Sequence, residues 1–424
     1  MPSASLAAQR PSADFWKFWA GQTISNLGSS FTEFALPLLI FKLTGSALNL
    51  AIASATTFLP YLLFGLPIGA WVDRVDRKRL MIVTDLLRAL ILALIPLWAA
   101  LGTLTVWWIY IAGFLISTLT IGFNSAEFAA IPSLVAHDDA SAGETLVTAN
   151  GRIQASYSAA TVVGPLLAGL LVAVVSLPVL LVIDACSFIL SAASLVLIRQ
   201  SFNAAGPPRA QSSVWQDMSE GLRYVLGHPV LRNISLMMAL VNFVGSTVYA
   251  QLVLFAKDRL GASDTQVGFL YSAGSLGVVL LALAAGPLRR RWSFSTVALG
   301  ALALEGLLTI GLSLTRWYWA ALPIWMLCSG LGILFNINTG SLRQAIVPNH
   351  LLGRVISIAG VLAWSAIPLG TLLGGLAITW TGNVALVYAV IGVLMVIIPL
   401  LFALTPLGKA ERYMPGREVQ VGEG

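Results

Sequence analysis

Long apolar segments separated by short polar ones are the dominant pattern along the chain. A helix that spans a membrane needs about 20 consecutive apolar residues. Twelve segments meet this requirement: 15–41, 47–72, 80–101, 106–131, 152–176, 178–198, 232–256, 265–287, 293–314, 317–340, 355–380 and 384–404. The pattern therefore predicts an all-α polytopic membrane protein with twelve transmembrane helices.

The segment 201–228 separates the first six apolar segments from the last six. Its second part is predicted to form an amphipathic helix, whose apolar residues recur at helical spacing: Trp215, Met218, Leu222 and Val225. Ser213 and Gln216 have the spacing of a capping box, and Gly227 and Pro229 would end the helix. We expect this helix to lie on the inner membrane face, and a plain linker is the alternative.

The two halves of the chain resemble distant repeats. Dipeptides recur in the same order in each half: Phe123-Asn124 and Phe335-Asn336, then Gly151-Arg152 and Gly353-Arg354. Parallel repeats of this kind are typical of transporters that alternate between two conformations. The predicted domains are an N-terminal six-helix bundle (1–200), a cytoplasmic central loop with the amphipathic helix (201–228), and a C-terminal six-helix bundle with a short cytoplasmic tail (229–424).

The composition agrees with a protein embedded in lipid. Of the 424 residues, 58% are hydrophobic and 10% are charged, whereas soluble proteins carry about 25% charged residues. The net charge of +6 is scattered over short loops, so we expect no nucleic-acid partner. Cys186 and Cys328 fall inside apolar segments and form no disulfide framework, and the histidines show no metal-ligand spacing.

The loop at residues 69–79 fixes the predicted orientation, because it is short and strongly basic. Basic loops stay on the cytoplasmic side. With this loop inside, the outer side receives few basic residues: Lys42, Lys257, Arg259 and Arg316. Both termini are then cytoplasmic, in a multi-pass protein of the inner (cytoplasmic) membrane. The first apolar segment lacks a following cleavage site, so we expect a retained helix rather than a signal peptide.

The same loop carries a pattern that resembles a signature of the major facilitator superfamily. The matching residues are Gly69-x-x-x-Asp73-Arg74-x-x-Arg77-Lys78. The resemblance implies two pseudo-symmetric six-helix bundles around a central cavity. One residue departs from the family pattern, because Asp76 stands where members usually have glycine.

Further motifs resemble the drug/proton antiporter branch that includes macrolide-efflux and enterobactin-exporter proteins. They are Thr44-Gly45-Ser46, Asp85-x-x-Arg88, Asp184-x-x-Ser187-Phe188 and Gly353-Arg354, with an antiporter-type motif at Gly164, Pro165 and Gly169. Ala168 stands where glycine is usual in that motif. The resemblance implies export of small amphipathic molecules, driven by the proton gradient without another cofactor. Import, or facilitated passage of a specific metabolite without protons, is the alternative.

The resemblance also implies a conformational latch on the inner face. Its residues in this chain are Gly69, Asp73, Arg74, Arg77 and Lys78, and Glu127 near the inner end of the fourth span could join them. An acid in this loop can interact with the positive N-terminus of a facing helix. The alternative is a basic loop that only sets the topology.

Ionisable residues inside the spans are energetically costly and are candidates for function. They are Glu33, Asp85, Arg88, Glu127, Asp184 and Glu305. Asp85 and Arg88 are three residues apart and can pair on one helix. Glu33 is the first candidate for carrying the proton or attracting a cationic substrate, and Asp184 is the second. A structural role is the alternative for each, with Gln22 or Asn26 as possible partners of Glu33.

Other classes of protein fit the sequence less well. The spans contain no His-Glu-x-x-His or Gly-x-Ser-x-Gly pattern, so an enzyme is not expected, and no nucleotide-binding loop is present. Glu305 lies on a span that is usually peripheral in the superfamily, so a structural pair and a functional role are both open for it. Polar and aromatic side chains that could line the cavity are Asn124, Gln154, Tyr157, Asn242, Tyr249 and Trp364. The expected partners are a small-molecule substrate, protons and the lipid bilayer, and we expect a monomer.

Overall fold

The computed structural model describes residues 12–72, 74–135, 142–203 and 214–413, and within these ranges the regular structure is helical, without strands. The first helices are α1 Ala13–Thr44, α2 Ala47–Val72, α3 Arg77–Ala100, α4 Val106–Val135, α5 Ala142–Leu171, α6 Leu177–Leu197, α7 Val214–Gly227 and α8 Pro229–Ala250. They are followed by α9 Leu252–Leu254, α10 Asp264–Arg291, α11 Phe294–Leu314, α12 Tyr318–Ile346, α13 Asn349–Trp364, α14 Ala366–Thr381 and α15 Val384–Ala403. A π-helical turn, Phe255–Arg259, follows α9, and a 3₁₀ segment, Pro406–Tyr413, follows α15.

The twelve predicted membrane spans are confirmed. Twelve segments of the described chain are long and apolar enough to cross a membrane. The helix α4 ends at Val135, after the apolar segment predicted for it, and α5 begins at Ala142, before its predicted segment. Backbone hydrogen bonds hold a helix together whether or not its side chains are apolar. The span predicted at 355–380 consists of two helices, α13 and α14, which meet at Ser365. Pro368 has no backbone N–H to donate to the carbonyl four residues earlier, so the regular hydrogen bonding is interrupted there.

Large apolar side chains cover the outward faces of these helices. Leu90 is 57% exposed, Leu283 is 74% exposed, and Val174 and Trp380 are each 81% exposed. Lipid satisfies such side chains, while the helices satisfy their own backbone hydrogen bonds. The exposed apolar surface is therefore the surface expected of a membrane protein.

The described chain forms two compact units. The first takes in the described residues up to Ala35 and the residues from Leu63 to Asn203. Its core is a cluster of buried side chains from α1, α3, α4 and the chain after α6, including Phe15, Phe18 and Phe123. The helices α3 and α6 pack side by side in this unit, and so do α3 and α4.

The second unit combines Leu36–Leu62 with the described residues from Val214 onward. The Gln251 Nε2 donates a hydrogen bond of 2.8 Å to the Ala47 carbonyl. Lys42, near the end of α1, forms an ion pair with Asp264, which also pairs with Lys257. The C-terminal end of α1 and the beginning of α2 therefore belong to the second unit. The boundaries predicted for the domains, 1–200, 201–228 and 229–424, stay a prediction.

The amphipathic helix predicted in the central segment is present as α7. It packs against α13, where Val225 joins a buried cluster with Val355 and Ile358. Glu220 on α7 also forms an ion pair with Arg354 on α13. Ser213, which was predicted to cap this helix, lies outside the described residues.

Candidate functional site

The loop with the signature residues closes with a helix cap. Asp76 has extended backbone angles (φ −67°, ψ 107°), and its Oδ1 accepts a hydrogen bond of 3.0 Å from the Arg79 backbone N–H. This satisfies one of the free N–H groups at the beginning of α3. The backbone at Asp76 needs no positive φ, so aspartate fits where the superfamily usually has glycine. Asp73 lies outside the described residues.

Two basic residues of the loop hold the segment that follows α6. The Arg77 Nη1 donates to the Ala129 and Phe202 carbonyls, each at 3.2 Å. The Lys78 Nζ donates to the Ile198 carbonyl. Ile198 is the first residue after α6, and carbonyls at such a helix end lack a partner within the helix, so a cation near them is stabilising. These two latch candidates therefore have a structural role within the first unit.

Sequence reasoning missed the partner that fixes this loop from the other side. The Asn203 Oδ1 accepts a hydrogen bond of 3.0 Å from the Arg77 backbone N–H, and its Nδ2 donates to the Val75 carbonyl at 2.9 Å. Asn203 is separated from this loop by more than one hundred residues. No local sequence signal indicates such a contact.

The remaining latch candidates lie on the same unit. Arg74 is exposed in the turn after α2. Gly69 lies near the end of α2, where a Cβ atom would meet no atom within 4 Å. Glu127 is partly buried on α4 and lies within electrostatic range of Arg88 and Asp85. Its charge thus belongs to the polar cluster described next.

Arg88 is the centre of a buried polar cluster in the first unit. It forms the predicted ion pair with Asp85 on the same helix, and the Asp85 side chain is fully buried. The guanidinium carbon lies 4.3 Å from the centre of the Phe123 ring and 4.5 Å from that of Phe188. Two aromatic faces stabilise the cation in surroundings that hold little water. Arg88 is also within electrostatic range of Asp184 and Glu127.

Asp184 on α6 is held by two hydroxyl groups. Thr32 on α1 donates to its Oδ2, and Ser187 donates to its Oδ1 at 3.0 Å. Asp184 is 1% exposed, and hydrogen bonds to both oxygens offset the cost of burying a carboxyl group. The second candidate for the proton is therefore a fully enclosed side chain with a complete set of partners.

Small residues on α1 allow this close approach to α6. A Cβ atom at Gly28 would lie 2.2 Å from the Ser187 Oγ and 2.6 Å from the Asp184 Oδ1. One at Gly21 would lie 2.0 Å from the Ser194 Oγ. Small residues let membrane helices approach closely enough to form hydrogen bonds between them. Glycine is required at these two positions of α1, which sequence reasoning did not identify.

The predicted antiporter-type motif packs against the same helix. A Cβ atom at Gly164 on α5 would lie 2.3 Å from the Ser30 Cβ on α1, so glycine is required there too. Pro165, Ala168 and Gly169 are buried next to it. Gly164 of the motif is therefore a point of close contact between α5 and α1.

Glu33 lies beside the buried cluster but is itself exposed. It follows Thr32, the residue that donates to Asp184, and it lies within electrostatic range of Asp184. Gln22, a partner considered for Glu33, donates instead to the Ser191 Oγ at 3.1 Å. The first unit thus brings together an exposed carboxyl group and a buried one on neighbouring helices.

Glu305 belongs to the second unit. It lies on α11, is 6% exposed, and its backbone carbonyl accepts a hydrogen bond of 2.8 Å from the Thr309 hydroxyl. No group of three or more His, Cys, Asp or Glu side chains that could hold a metal ion occurs in the described part of the chain.

Sequence comparisons find bacterial efflux proteins among the relatives of this chain. A family model described as transmembrane secretion effector matches residues 4–420. The multidrug efflux pump Tap of Mycolicibacterium fortuitum is 30% identical over 360 residues, which cover 82% of this chain and 85% of that protein. Macrolide efflux protein A of Streptococcus pyogenes is 28% identical over 368 residues, with coverages of 85% and 88%.

Solved transporter structures share the fold at low sequence identity. The nucleoside transporter NupG has a TM-score of 0.73 at 13% identity, over 92% of this chain and 98% of that one. A bacterial homologue of the iron transporter ferroportin has a TM-score of 0.70 at 16% identity, with coverages of 93% and 100%. This likeness shows the shared fold, while the family match and the sequence relatives identify a membrane transporter and not an enzyme. The chain belongs to the transmembrane secretion effector family of the major facilitator superfamily.

Proposed function

We propose that this protein exports small amphipathic organic molecules across the cytoplasmic membrane by proton antiport, alternating between two conformations. The observation that carries the proposal is the pairing of an exposed and an enclosed carboxyl group, Glu33 and Asp184, beside Arg88 within the membrane-spanning part of the first unit. Ionisable groups in such a place are retained for ion or substrate movement in many transporters.

The named relatives support the direction and the kind of substrate. They include a multidrug efflux pump and a macrolide efflux protein, each aligned with more than four fifths of this chain. We therefore propose drugs, macrolides or siderophore-like molecules as the class of cargo. Import without proton coupling is the second candidate. The fold would suit an importer equally well, but the named sequence relatives are efflux proteins.

The proton step that we propose begins at Glu33. An exposed carboxyl group can exchange a proton with water, whereas Asp184 is enclosed and held by Thr32 and Ser187. A change in the charge of Glu33 alters the balance of charges around Asp184, because Asp184 interacts electrostatically with both Glu33 and Arg88. The cluster would then favour a different arrangement of α1 and α6 in each protonation state.

We also propose that the loop signature acts as a latch in the alternate conformation. A Cβ atom at Gly69 would meet no atom within 4 Å, so packing in this structure does not require glycine there. A close contact at Gly69 in the alternate conformation would give a reason for the glycine, and this supports the role. Asp73, Arg74, Arg77 and Lys78 would form the charged part of the latch, with Glu127 at its edge. Arg77 and Lys78 would then exchange the carbonyl contacts described above for contacts in the other state.

The proposed placement in the membrane follows from the distribution of basic residues. Both termini and the segment 201–228 would lie in the cytoplasm, with six-helix halves at 1–200 and 229–424. We propose that a monomer carries out transport, with the substrate, protons and the bilayer as its partners.

The test is accumulation of macrolides, cationic dyes and catechol siderophores in an efflux-deficient bacterium that expresses the chain, with and without a protonophore. We expect at least one compound to be excluded, and the protonophore to abolish its exclusion. Glu33→Gln and Asp184→Asn should raise accumulation to the level of the vector control, while Asp258→Asn, an exposed acid outside the spans, should not.

Two results would contradict the proposal. Exclusion that persists in the presence of the protonophore, or in both carboxyl variants, would show that protons are not coupled through these residues. Faster uptake of any compound by the expressing strain would favour the import alternative. Membrane abundance of each variant, measured by fluorescence size-exclusion chromatography, serves as the control for expression.

A further inference from the structure

The carboxyl group of Glu305 is buried in the second unit and lacks a complete set of partners. Its side chain is on the membrane-spanning helix α11, and its Oε2 accepts no hydrogen bond from any residue that the structure describes. An isolated carboxyl group in such surroundings is costly unless a ligand or a proton compensates it. This residue therefore needs an explanation that the first unit does not supply.

A glycine on α12 leaves the Glu305 carboxyl group close to the surface of the unit. A Cβ atom at Gly332 would lie 3.4 Å from the Glu305 Oε2, 3.7 Å from its Oε1, and 3.8 Å from the Tyr249 hydroxyl. These are ordinary contact distances, so glycine is not required for packing there. Gly332 is partly exposed, and Tyr249 is 46% exposed. The Glu305 carboxyl group and the Tyr249 hydroxyl group therefore both lie close to Gly332, which has no side chain.

Aromatic and polar groups surround Gly332. The Tyr249 ring lies against the indole of Trp325, with centroids 5.1 Å apart. One turn before Gly332, Ser329 is 6% exposed, and its hydroxyl group lies within reach of the Tyr249 hydroxyl. One turn after it, Asn336 is exposed. The surroundings of Gly332 thus combine a buried carboxyl group, an aromatic surface and a serine hydroxyl group.

We propose that Glu305, Tyr249 and Ser329 form a binding site for a protonated amine of the exported molecule, reached through the gap at Gly332. A carboxylate supplies the opposite charge, and the ring of Tyr249 can contact an alkylammonium group by a cation–π interaction. This inference deepens the proposed function and rests on it, because it assigns the class of cargo as amphipathic cations. Inorganic cations prefer sets of several oxygen ligands, whereas much of this surface is aromatic or apolar.

The test uses two fluorescent probes that differ in charge but share their aromatic part. Dansylcadaverine carries a primary amine, and its N-acetyl derivative is neutral. Binding of each to the purified full-length protein in detergent is measured by the change in dansyl fluorescence. We expect the cationic probe to bind about tenfold more tightly or better, which is the range for hydrogen bonds to charged groups.

Two variants remove the acid by different routes. Glu305→Gln removes the charge, and Gly332→Ala covers the carboxyl group with a methyl group that fits at ordinary contact distance. Both should reduce the preference for the cationic probe to nearly onefold. Gly300→Ala, on the same helix as Glu305 with open space around it, is the matched control and should keep the preference. The alanine variant keeps the test informative should Glu305→Gln fail to fold.

Several outcomes would overturn the proposal. They are equal binding of both probes by the unmodified protein, an unchanged preference in Glu305→Gln and Gly332→Ala, and displacement of the cationic probe by sodium chloride but not by choline chloride. The last would assign the site to an inorganic ion. The assay needs no proton gradient. Failure of proton-driven export would therefore leave this binding result intact, and the reverse also holds.

Discussion

At the scale of single residues, Asp76 shows how a departure from a family pattern can be accommodated. The superfamily usually has glycine here, which suggests a turn with unusual backbone angles. The observed φ of −67° is instead ordinary, and the side chain caps α3. An aspartate at this position therefore stabilises the beginning of the helix rather than straining the turn.

The cap leads to a graded prediction for substitutions at Asp76. Asp76→Ala should lower the free energy of unfolding by about 1 kcal/mol, because the Arg79 N–H loses its acceptor. Asp76→Gly should lower it by only about a few tenths of a kcal/mol. Asp76→Asn should be nearly neutral, since asparagine caps as well as aspartate. Reversible unfolding in mixed micelles measures these differences. A glycine variant that is less stable than the alanine variant would contradict the capping role.

Gly28 leads to the second prediction at this scale. Gly28→Ala should destabilise the protein by about 1–3 kcal/mol, the usual cost of overpacking, because its Cβ would overlap Ser187 and Asp184. Gly65→Ala on α2 has open space and should be neutral or slightly stabilising. Thermal unfolding followed by size-exclusion chromatography compares the two. Equal stability of both variants would show that α1 can move away from α6 at little cost.

Residue contacts could be predicted from the sequence only when they are local. The pairing of Asp85 with Arg88 follows from helix geometry over three residues. The bond between Thr32 and Asp184 joins residues 152 positions apart, and it depends on which faces of α1 and α6 meet. Apolar sequences in lipid carry little information about that choice, since lipid accepts any apolar face. The requirement for glycine at positions 21 and 28 is hidden for the same reason.

At the scale of secondary-structure elements, the end of α6 depends on side chains from its neighbours. Arg77 reaches carbonyls of α4 and of the chain after α6, and Lys78 reaches the first residue after α6. Asp14 on α1 accepts hydrogen bonds from the backbone N–H groups of Arg199 and Gln200, at 2.9 and 3.1 Å. The segment after α6 is therefore held from three sides.

Removal of Arg77 should loosen this segment without affecting distant helices. Arg77→Ala should speed amide hydrogen exchange after α6, in residues 198–203, and Arg77→Lys should restore it only in part because one ammonium group cannot reproduce the planar guanidinium. Arg79→Ala is the control, since Arg79 is exposed and, within the described part of the loop, pairs with Asp76 at 3.5 Å. Faster exchange in the Arg79 variant alone would indicate that the loop, not the carbonyl contacts, controls the segment.

Elements were the most predictable level of structure. A bilayer accepts only segments of sufficient length and apolarity, so the number and order of spans follow directly from the sequence. Helix ends were less predictable, because α5 begins ten residues before the apolar segment assigned to it. The break at Ser365 was missed, although Pro368 was a visible signal for it.

At the scale of the whole molecule, two helices contribute to both units. The chain passes from one unit to the other within α1, after Ala35, and returns within α2, after Leu62. Alternating access, as we propose it, requires the ends of some helices to separate in one half of the cycle. The ion pair between Lys42 and Asp264 joins the end of α1 to the beginning of α10, and it is a contact that such a cycle would break.

A reversible cross-link tests this requirement. In a variant with Cys186 and Cys328 replaced by serine, Lys42→Cys and Asp264→Cys should be joined by a bis-methanethiosulfonate reagent whose spacer matches the length of the lysine side chain that now bridges the two positions. Export should stop in the cross-linked protein and resume after reduction of the two mixed disulfides. Each single-cysteine variant, treated identically, controls for the loss of the ion pair. Undiminished export by a fully cross-linked protein would show that this contact persists throughout the cycle.

The membership of Leu36–Leu62 in the second unit has a consequence for how the protein is made. Lys42 leaves the ribosome well before its partner Asp264, which follows 222 residues later. At about 5–20 residues per second, synthesis of that interval takes roughly 10–45 s. Throughout this time the nascent α1 and α2 are in the membrane without the neighbours that complete them. The second unit therefore cannot assemble until the chain beyond Asp264 has been synthesised. Until then, α1 and α2 depend on the insertion machinery or on transient contacts with other helices.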